Sequence, residues 1–433
     1  MLYPHLGRNA AGHLTIEGLD AVSLAREFGT PAYVMSENVV RTRCRTYLAA
    51  ARRHFGADAL PLFASKALSC VAIYQLMAEE GMGVDCVSAG ELYTAKAAGF
   101  PAGRIWFHGN NKTESDLLLA LDMGIGTVVV DSREELAMLD TLCRKRGVKQ
   151  RILLRLSPGI DPHTHKAVIT GNIDSKFGSA VATGAALAIT KEALTKKNLF
   201  SAGFHCHIGS QIFESEPFCD AARIMLDFVA AVHAETGFLP EELNLGGGLG
   251  VPYTPYDPAV DYAAAIGEIA KAARAHAETL KLPLPRIILE PGRSLVADAG
   301  LTLYTVGSVK EIPGFRNYVS VDGGMPDNPR YALYQSHYTV TVANRAGEPR
   351  DYVATLAGRC CESGDLIGEG LPMEKPVAGD IMAVLTTGAY NFSMASNYNR
   401  VPRPPLVFVR NGKARVVVRR ETFDDLIERD LPL

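Results

Sequence analysis

At 433 residues the chain exceeds what one ordinary core fills, so two domains are expected. Hydrophobic residues make up 47% and charged residues 21%, with a formal net charge of -3 and no long basic run. That balance excludes an electrostatic footprint for nucleic acid and points to a small-molecule ligand. The stretch Met1–His13 has no apolar h-region, and no apolar run approaches membrane-spanning length. Eight cysteines lie scattered at positions 44, 70, 86, 143, 206, 219, 360 and 361. The expectation is a cytoplasmic protein with reduced thiols, without membrane or nucleic-acid partners.

Short apolar runs alternate with longer amphipathic stretches from about residue 60 to residue 290. The predicted strands are Pro61–Ser65, Gly83–Val87, Arg104–Phe107, Thr127–Val130, Arg151–Leu156, Gly203–His207, Glu242–Leu245 and Arg286–Leu289. Helical patterns fall between them at Ser115–Met123, Ser132–Arg146, Glu216–Glu235 and Tyr262–Leu280. Eight such strands favour a (β/α)8 TIM barrel, although a doubly wound sheet gives the same alternation. After residue 300 the pattern becomes mostly β: Leu301–Val309, Tyr318–Val321, His337–Val342, Tyr352–Leu356, Ile381–Leu385 and Leu406–Val409. Asn411-Gly412, between Val407–Arg410 and Ala414–Val418, is a two-residue hairpin signal. His13–Ile16 and Ala32–Met35 are further strands, assigned to the β domain. The expected division is a barrel over 37–298 and a β domain, sandwich- or barrel-like, from 1–36 and 299–433.

Chemistry in such a barrel sits where strands end. Lys66 closes the first strand: it could snorkel to solvent or serve as a desolvated amine for Schiff-base chemistry with a carbonyl. Asp85 ends the second strand and could instead cap the following helix. The sixth strand ends in His205-Cys206-His207-Ile208-Gly209-Ser210. The alternation of a strand puts Cys206 opposite the two histidines, which argues against a metal site. An imidazole there suits stacking on a ring, and Ser210 suits a phosphate. Gly246-Gly247-Gly248 follows the seventh strand and offers backbone amides to an anion, where barrels commonly bind phosphate. Glu290-Pro291-Gly292-Arg293 follows the eighth. An aldehyde for Lys66, a ring for His207, a phosphate for the glycines and a ring nitrogen for Glu290 together describe pyridoxal 5'-phosphate.

In the β domain, Gly358-Arg359-Cys360-Cys361-Glu362-Ser363-Gly364-Asp365 places thiols beside an acid in a flexible turn. No second Cys/His pair lies nearby at metal spacing, and adjacent cysteines bridge poorly. Such a loop suits proton delivery.

Taken in order, Ala64-Ser65-Lys66-Ala67, Ser175-Lys176-Phe177-Gly178, His207–Gln211, Gly246–Gly248 and Glu290–Arg293 resemble the fold-type III pyridoxal-phosphate-dependent decarboxylases. Asp322-Gly323-Gly324-Met325, Arg330 with Ala332-Leu333-Tyr334, Cys361–Asp365, Gly388-Ala389-Tyr390 and Ser396–Asn399 extend the likeness over most of the chain. Phe63, Leu68 and Tyr331 depart from common residues of that family without removing a catalytic group. The resemblance implies that Lys66 holds the cofactor and that Cys361 is the general acid. It implies cofactor contacts from Asp85, His207, Ser210, Gly247, Gly248, Glu290, Pro291, Gly292, Arg293 and Tyr390. Substrate contacts are expected from Arg293, Arg330, Tyr334, Glu362 and Tyr390.

Family members are homodimers with shared sites, so Cys361 and Glu362 are expected to approach Lys66 of the partner subunit. Glu362 after the cysteine, together with Arg330, favours a substrate ending in a whole amino-acid head over ornithine. The implied reaction is decarboxylation of meso-2,6-diaminopimelate to L-lysine and CO2, the closing step of lysine synthesis. A polyamine-pathway decarboxylase, a racemase sharing the barrel and an inactive regulatory homologue are the rival readings. Cys360 is expected to be a buried, inert thiol.

Overall fold

The computed structural model describes residues 2–160 and 175–433, which form two compact units. One comprises Arg43–Gly250 and Ala259–Ser294; the other comprises Met1–Thr42, Val251–Pro258 and Leu295–Leu433. Val251–Pro258, expected with the barrel, belongs to the second unit. There Pro252 O accepts from the Tyr3 hydroxyl and Tyr253 O from the Thr339 hydroxyl.

The first unit is a closed parallel barrel. Its strands are Leu60–Ala64, Gly83–Cys86, Ile105–Phe107, Thr127–Val130, Gln150–Ser157, Leu199–His205, Glu242–Asn244 and Arg286–Leu289. Each pairs with the next, and the eighth returns to the first with Leu289 opposite Pro61. Closure removes the two edges that a doubly wound sheet would keep. All four residues of Thr127–Val130 are buried, as parallel strands covered on both faces must be.

The sixth strand is the one misplaced by sequence. It begins at Leu199 and stops at His205, so His207 leaves the sheet. Gly203, taken as its start, is instead an irregularity in mid-strand, where the register shifts against the fifth strand. A Cβ at Gly203 would come 1.8 Å from Glu242 O, so only glycine fits.

Several helices of this unit start on explicit caps. Thr113 and Asp116 form a capping box on Glu114–Met123, and Ser132 accepts from Glu135 N at the head of Arg133–Arg146. Asp261 accepts from Ala263 N and Ala264 N at the head of Tyr262–Leu280. The acidic first turn and basic last turn of Arg133–Arg146 also complement the helix dipole.

The second unit is mostly β. Its large sheet runs Leu366–Met373, Tyr352–Ala357, Arg316–Val321, Gly300–Ile312, Ala32–Ser36, Leu406–Arg410, Lys413–Val418. Ile381–Leu385 pairs with the early part of Gly300–Ile312 and carries Val340–Val342 beside it. Asn411 and Gly412 both have positive φ, +51° and +73°, as a type I′ hairpin turn requires. The predicted strand at His13–Ile16 is observed as Leu14–Ile16, in a separate three-stranded sheet with Leu6–Arg8 and Leu19–Asp20. Leu14, Ile16, Leu24, Val34, Leu301, Leu303, Leu385 and Val409 meet in one buried cluster between these elements. Among the described residues, no helix is long and apolar enough to cross a membrane.

Candidate active site

The barrel strands deliver polar side chains at one level. Arg155, His205 and Asn244 are register partners on the fifth, sixth and seventh strands, and Asn244 lies opposite Ile288 on the eighth. Glu290 follows two residues after Ile288, and its carboxylate is the centre of the site. Asn244 Nδ2 donates to Glu290 Oε1 at 2.6 Å. His205 Nε2 lies 3.0 Å from Oε2. His108 Nε2 lies 2.8 Å from Oε1 but out of line for a hydrogen bond, and 3.7 Å from Asp85 Oδ1. All five side chains are buried.

Burial alone would raise the proton affinity of Glu290, but His108 and His205 more than offset it and hold the carboxyl well below its ordinary range. Asp85 is pushed upward, first by burial and then by the Glu290 charge, against the opposing pull of His108, Lys66 and Arg155. Burial lowers His205 to about 4, so at neutral pH it is an uncharged ring. As the carboxylate only accepts, His205 donates from Nε2. His108, His205 and Glu290 bring potential ligand atoms within 4.8 Å of one another. The His205–Glu290 hydrogen bond and the Asn244 amide make this a hydrogen-bonded network about one carboxylate.

Lys66 lies in the short turn Ser65–Ala67 after the first strand. Its side chain is exposed, which of the two readings favours the solvent-facing amine; the turn carries it to the barrel mouth. Its charge still reaches Asp85, Glu91 and His207. Asp85 is not a helix cap, since Ser88 caps Ala89–Ala97. His207 is half-buried in the loop after the sixth strand, and desolvation, then the Lys66 charge, push its imidazole well below the ordinary value. Gly247 N donates to His207 Nδ1 at 3.4 Å.

The glycine run is sterically required. A Cβ on Gly247 would come 1.9 Å from Glu290 O, and one on Gly248, at φ +132°, would come 2.4 Å from Gly209 O. The buried Arg293 guanidinium donates twice to Ser210 Oγ, at 3.2 and 3.1 Å, joining the loops after the sixth and eighth strands. Pro291 and Gly292 are buried between Glu290 and Arg293. Ala64 N donates to Pro291 O at 3.0 Å. A Cβ on Gly292 would meet Ala64 Cβ at 3.0 Å. This set fits pyridoxal phosphate: an available amine, an ionised carboxylate for a ring nitrogen, and a glycine run beside a guanidinium and hydroxyl for a phosphate.

Sequence reasoning passed over His108, Arg155 and Asn244 and set His205 aside. His108 directly follows the third strand and Asn244 ends the seventh, so strand position alone marks both. Arg155 stands within the long fifth strand, its guanidinium 4.2 Å above the Phe177 ring and near Asp131.

The β unit holds the remaining predicted residues. The Arg330 guanidinium sits 5.0 Å from the Tyr334 ring and 5.2 Å from the Tyr390 ring, joining three predicted substrate contacts. Arg330 is buried, and its Nε makes no hydrogen bond among the described residues. Cys361 and Glu362 are exposed on a turn wrapped around the buried Asp365. Asp365 accepts from Met325 N at 2.5 Å and from Cys360 N at 2.7 Å. Cys361 N donates to Asn399 Oδ1 at 2.8 Å. Cys360 is half-buried rather than buried, and desolvation followed by the Asp365 charge pushes its thiol up to about 12.

The closed barrel and its strand-end residues have the make-up of a pyridoxal-phosphate site, and residues 40–297 match the family "Pyridoxal-dependent decarboxylase, pyridoxal binding domain". A diaminopimelate decarboxylase of Bacillus subtilis (strain 168) is 47% identical over 425 residues, 98% of this chain and 97% of the relative. One from Mycobacterium tuberculosis is 40% identical over 438 residues, covering 98% and 96%. The crystal structure of diaminopimelate decarboxylase from M. jannaschii in complex with L-lysine superposes with a TM-score of 0.90 at 35% identity, covering 99% of this chain and 98% of that one. The chain belongs to the diaminopimelate decarboxylase family of pyridoxal-dependent decarboxylases.

Proposed function

We propose that this chain removes one carboxylate from meso-2,6-diaminopimelate, releasing CO2 and L-lysine, with pyridoxal 5'-phosphate as cofactor. The observation that carries the reading is the ionised Glu290 at the centre of the barrel, with Lys66 at the mouth and the Ser210–Arg293 pair beside the glycine run. When bound, the cofactor supplies an electron sink for the charge left on the α-carbon as CO2 departs.

Lys66 would hold the cofactor through its amine, Glu290 would face the ring nitrogen, and His207 would lie against the ring. Gly247, Gly248, Ser210 and Arg293 would hold the phosphate, with Asp85, Pro291, Gly292 and Tyr390 completing the contacts. The substrate brings a second amino-acid head. Glu362 suits its ammonium, and Arg330, flanked by Tyr334 and Tyr390, suits its carboxylate, with Arg293 as a further cation. Cys361 suits delivery of a proton to the α-carbon, because its thiol lies on an exposed turn whose backbone is held by Asp365 and Asn399. We assign a cytoplasmic homodimer, in which Cys361 and Glu362 of one copy serve the barrel of the other.

The test is purified protein supplied with pyridoxal phosphate and meso-diaminopimelate, with CO2 and L-lysine measured together. Turnover of ornithine or arginine without turnover of diaminopimelate would overturn the substrate assignment.

A further inference from the structure

We infer that His205 is a positioning residue for Glu290: its hydrogen bond to Oε2, set against the Asn244 bond to Oε1, aims the carboxylate so that the barrel selects a ring bearing a nitrogen donor. The inference rests on the cofactor reading above and deepens it.

A carboxylate offers about four acceptor positions. Asn244 Nδ2 occupies one on Oε1 at 2.6 Å, and His205 Nε2 occupies one on Oε2 at 3.0 Å. His108 crowds Oε1 at 2.8 Å without the alignment of a hydrogen bond. The oxygen with room for a further donor is therefore Oε2, the one His205 holds.

Neither donor is free to move. Asn244 Oδ1 accepts from Gly246 N at 2.9 Å, so the amide is fixed at both ends, and Glu290 N donates back to Gly246 O at 2.7 Å. His205 packs edge-on against His108, with ring centroids 4.7 Å apart and planes at 72°. His205 Nδ1 has no hydrogen-bond partner among the described residues, which leaves Glu290 as the polar contact that fixes the ring.

The network supplies a hydrogen-bond donor to each oxygen of the carboxylate. Asn244 is neutral, and burial keeps His205 neutral at pH 7. The charged or titratable groups also acting on Glu290 or His205 are His108, His207, Asp85, Arg155 and Cys206. A buried, ionised carboxylate with a free acceptor position on Oε2 is poised for a cationic N–H donor, and a hydrogen bond between charged partners is about twice as strong as a neutral one. A role limited to filling space would require only a flat ring at position 205.

The measurement is the ratio of dissociation constants of the full-length apoprotein for pyridoxal phosphate and for its carbocyclic analogue, which has CH in place of the ring nitrogen. General damage to the barrel weakens both ligands together and leaves the ratio unchanged. Wild type is expected to prefer pyridoxal phosphate by roughly tenfold or more, the weight of one charge-assisted hydrogen bond. Glu290→Gln and His205→Phe should each bring the ratio close to one, while His205→Gln, which keeps an N–H donor, should retain most of it. If Glu290→Gln loses the preference and His205→Phe keeps it, the positioning role is overturned and the cofactor reading stands. If wild type shows no preference, the assignment of Glu290 to the ring nitrogen fails, and this inference fails with it. Should His205→Phe not fold, His205→Asn, too short to span the bond, is expected to lose the preference, and its retention would overturn the role equally.

Discussion

Asp85 and Glu290 share one buried cluster, and the cluster moves their protons in opposite directions. Asp85 Oδ1 lacks a hydrogen-bond donor among the described residues, and burial followed by the Glu290 charge raises its proton affinity. Glu290 accepts from Asn244 and His205 and stays ionised despite its burial. A depressed carboxyl contributes stability above its unfolded value and loses it as pH falls through the folded one. A raised carboxyl contributes below its unfolded value and loses that contribution as pH rises.

Because ionisation is opposed at Asp85 and favoured at Glu290, the two amide variants should part. Glu290→Gln is expected to lower stability by about 1–3 kcal/mol through mispaired buried donors. Asp85→Asn should leave stability unchanged or raise it, because it removes a buried carboxyl whose ionisation is opposed by burial and by the Glu290 charge. Thermal unfolding midpoints of the two apoproteins at pH 7 decide the matter; equal losses would show that the cluster does not separate the carboxylates.

Lys66→Ala should abolish turnover and covalent retention of the cofactor. Borohydride treatment of the wild-type holoenzyme is expected to fix the mass of one cofactor on the peptide containing Lys66, with none on the variant. A labelled Lys112 peptide in place of it would contradict the assignment, as that amine is buried and paired with Glu135.

The two adjacent thiols should behave differently. Cys361→Ala is expected to reduce kcat by about 10²–10⁴-fold, the usual weight of a general acid, while cofactor absorption stays intact. Cys360→Ser should have a small effect, because its thiol is held protonated with a value of about 12. Alkylation followed by peptide mapping should modify Cys361 ahead of Cys360 at neutral pH. The reverse order would remove Cys361 as the proton donor.

Arg330→Lys keeps the charge but loses the planar fork that lies against Tyr334 and Tyr390. KM for diaminopimelate should rise by roughly tenfold or more, as expected for a lost charged hydrogen bond of about 1.5–3 kcal/mol. The change in kcat should be smaller. Steady-state kinetics with an unchanged KM would take Arg330 out of substrate binding.

Much of this architecture was legible because parallel strands buried on both faces are continuous apolar runs. Thr127–Val130 and Arg286–Leu289 were read to the residue. Strand Leu366–Met373 was missed because Gly368, Gly370 and Pro372 break its pattern, and its pairing with Tyr352–Ala357 shifts register twice. In the site, motif residues such as Gly247 and Arg293 stood out, whereas His108, Arg155 and Asn244 did not. Their part depends on which strands lie side by side, and an isolated histidine, arginine or asparagine on a strand gives no sign of its neighbours. His205 was visible, but taking Gly203 as the start of its strand put His207 in the sheet and obscured the difference between the two rings.

Strand Ala32–Ser36 lies between Gly300–Ile312 on one side and Leu406–Arg410 on the other. All eight barrel strands fall between it and both of these neighbours in the chain. A ribosome emitting the chain from its N-terminus therefore releases the entire barrel before either neighbour of Ala32–Ser36 exists. Domains fold as units during synthesis, so the barrel is expected to close first while an early, apolar strand waits with both edges open. A message cut short before Leu406 would leave one of those edges permanently unpaired, a template for aggregation rather than a shorter enzyme.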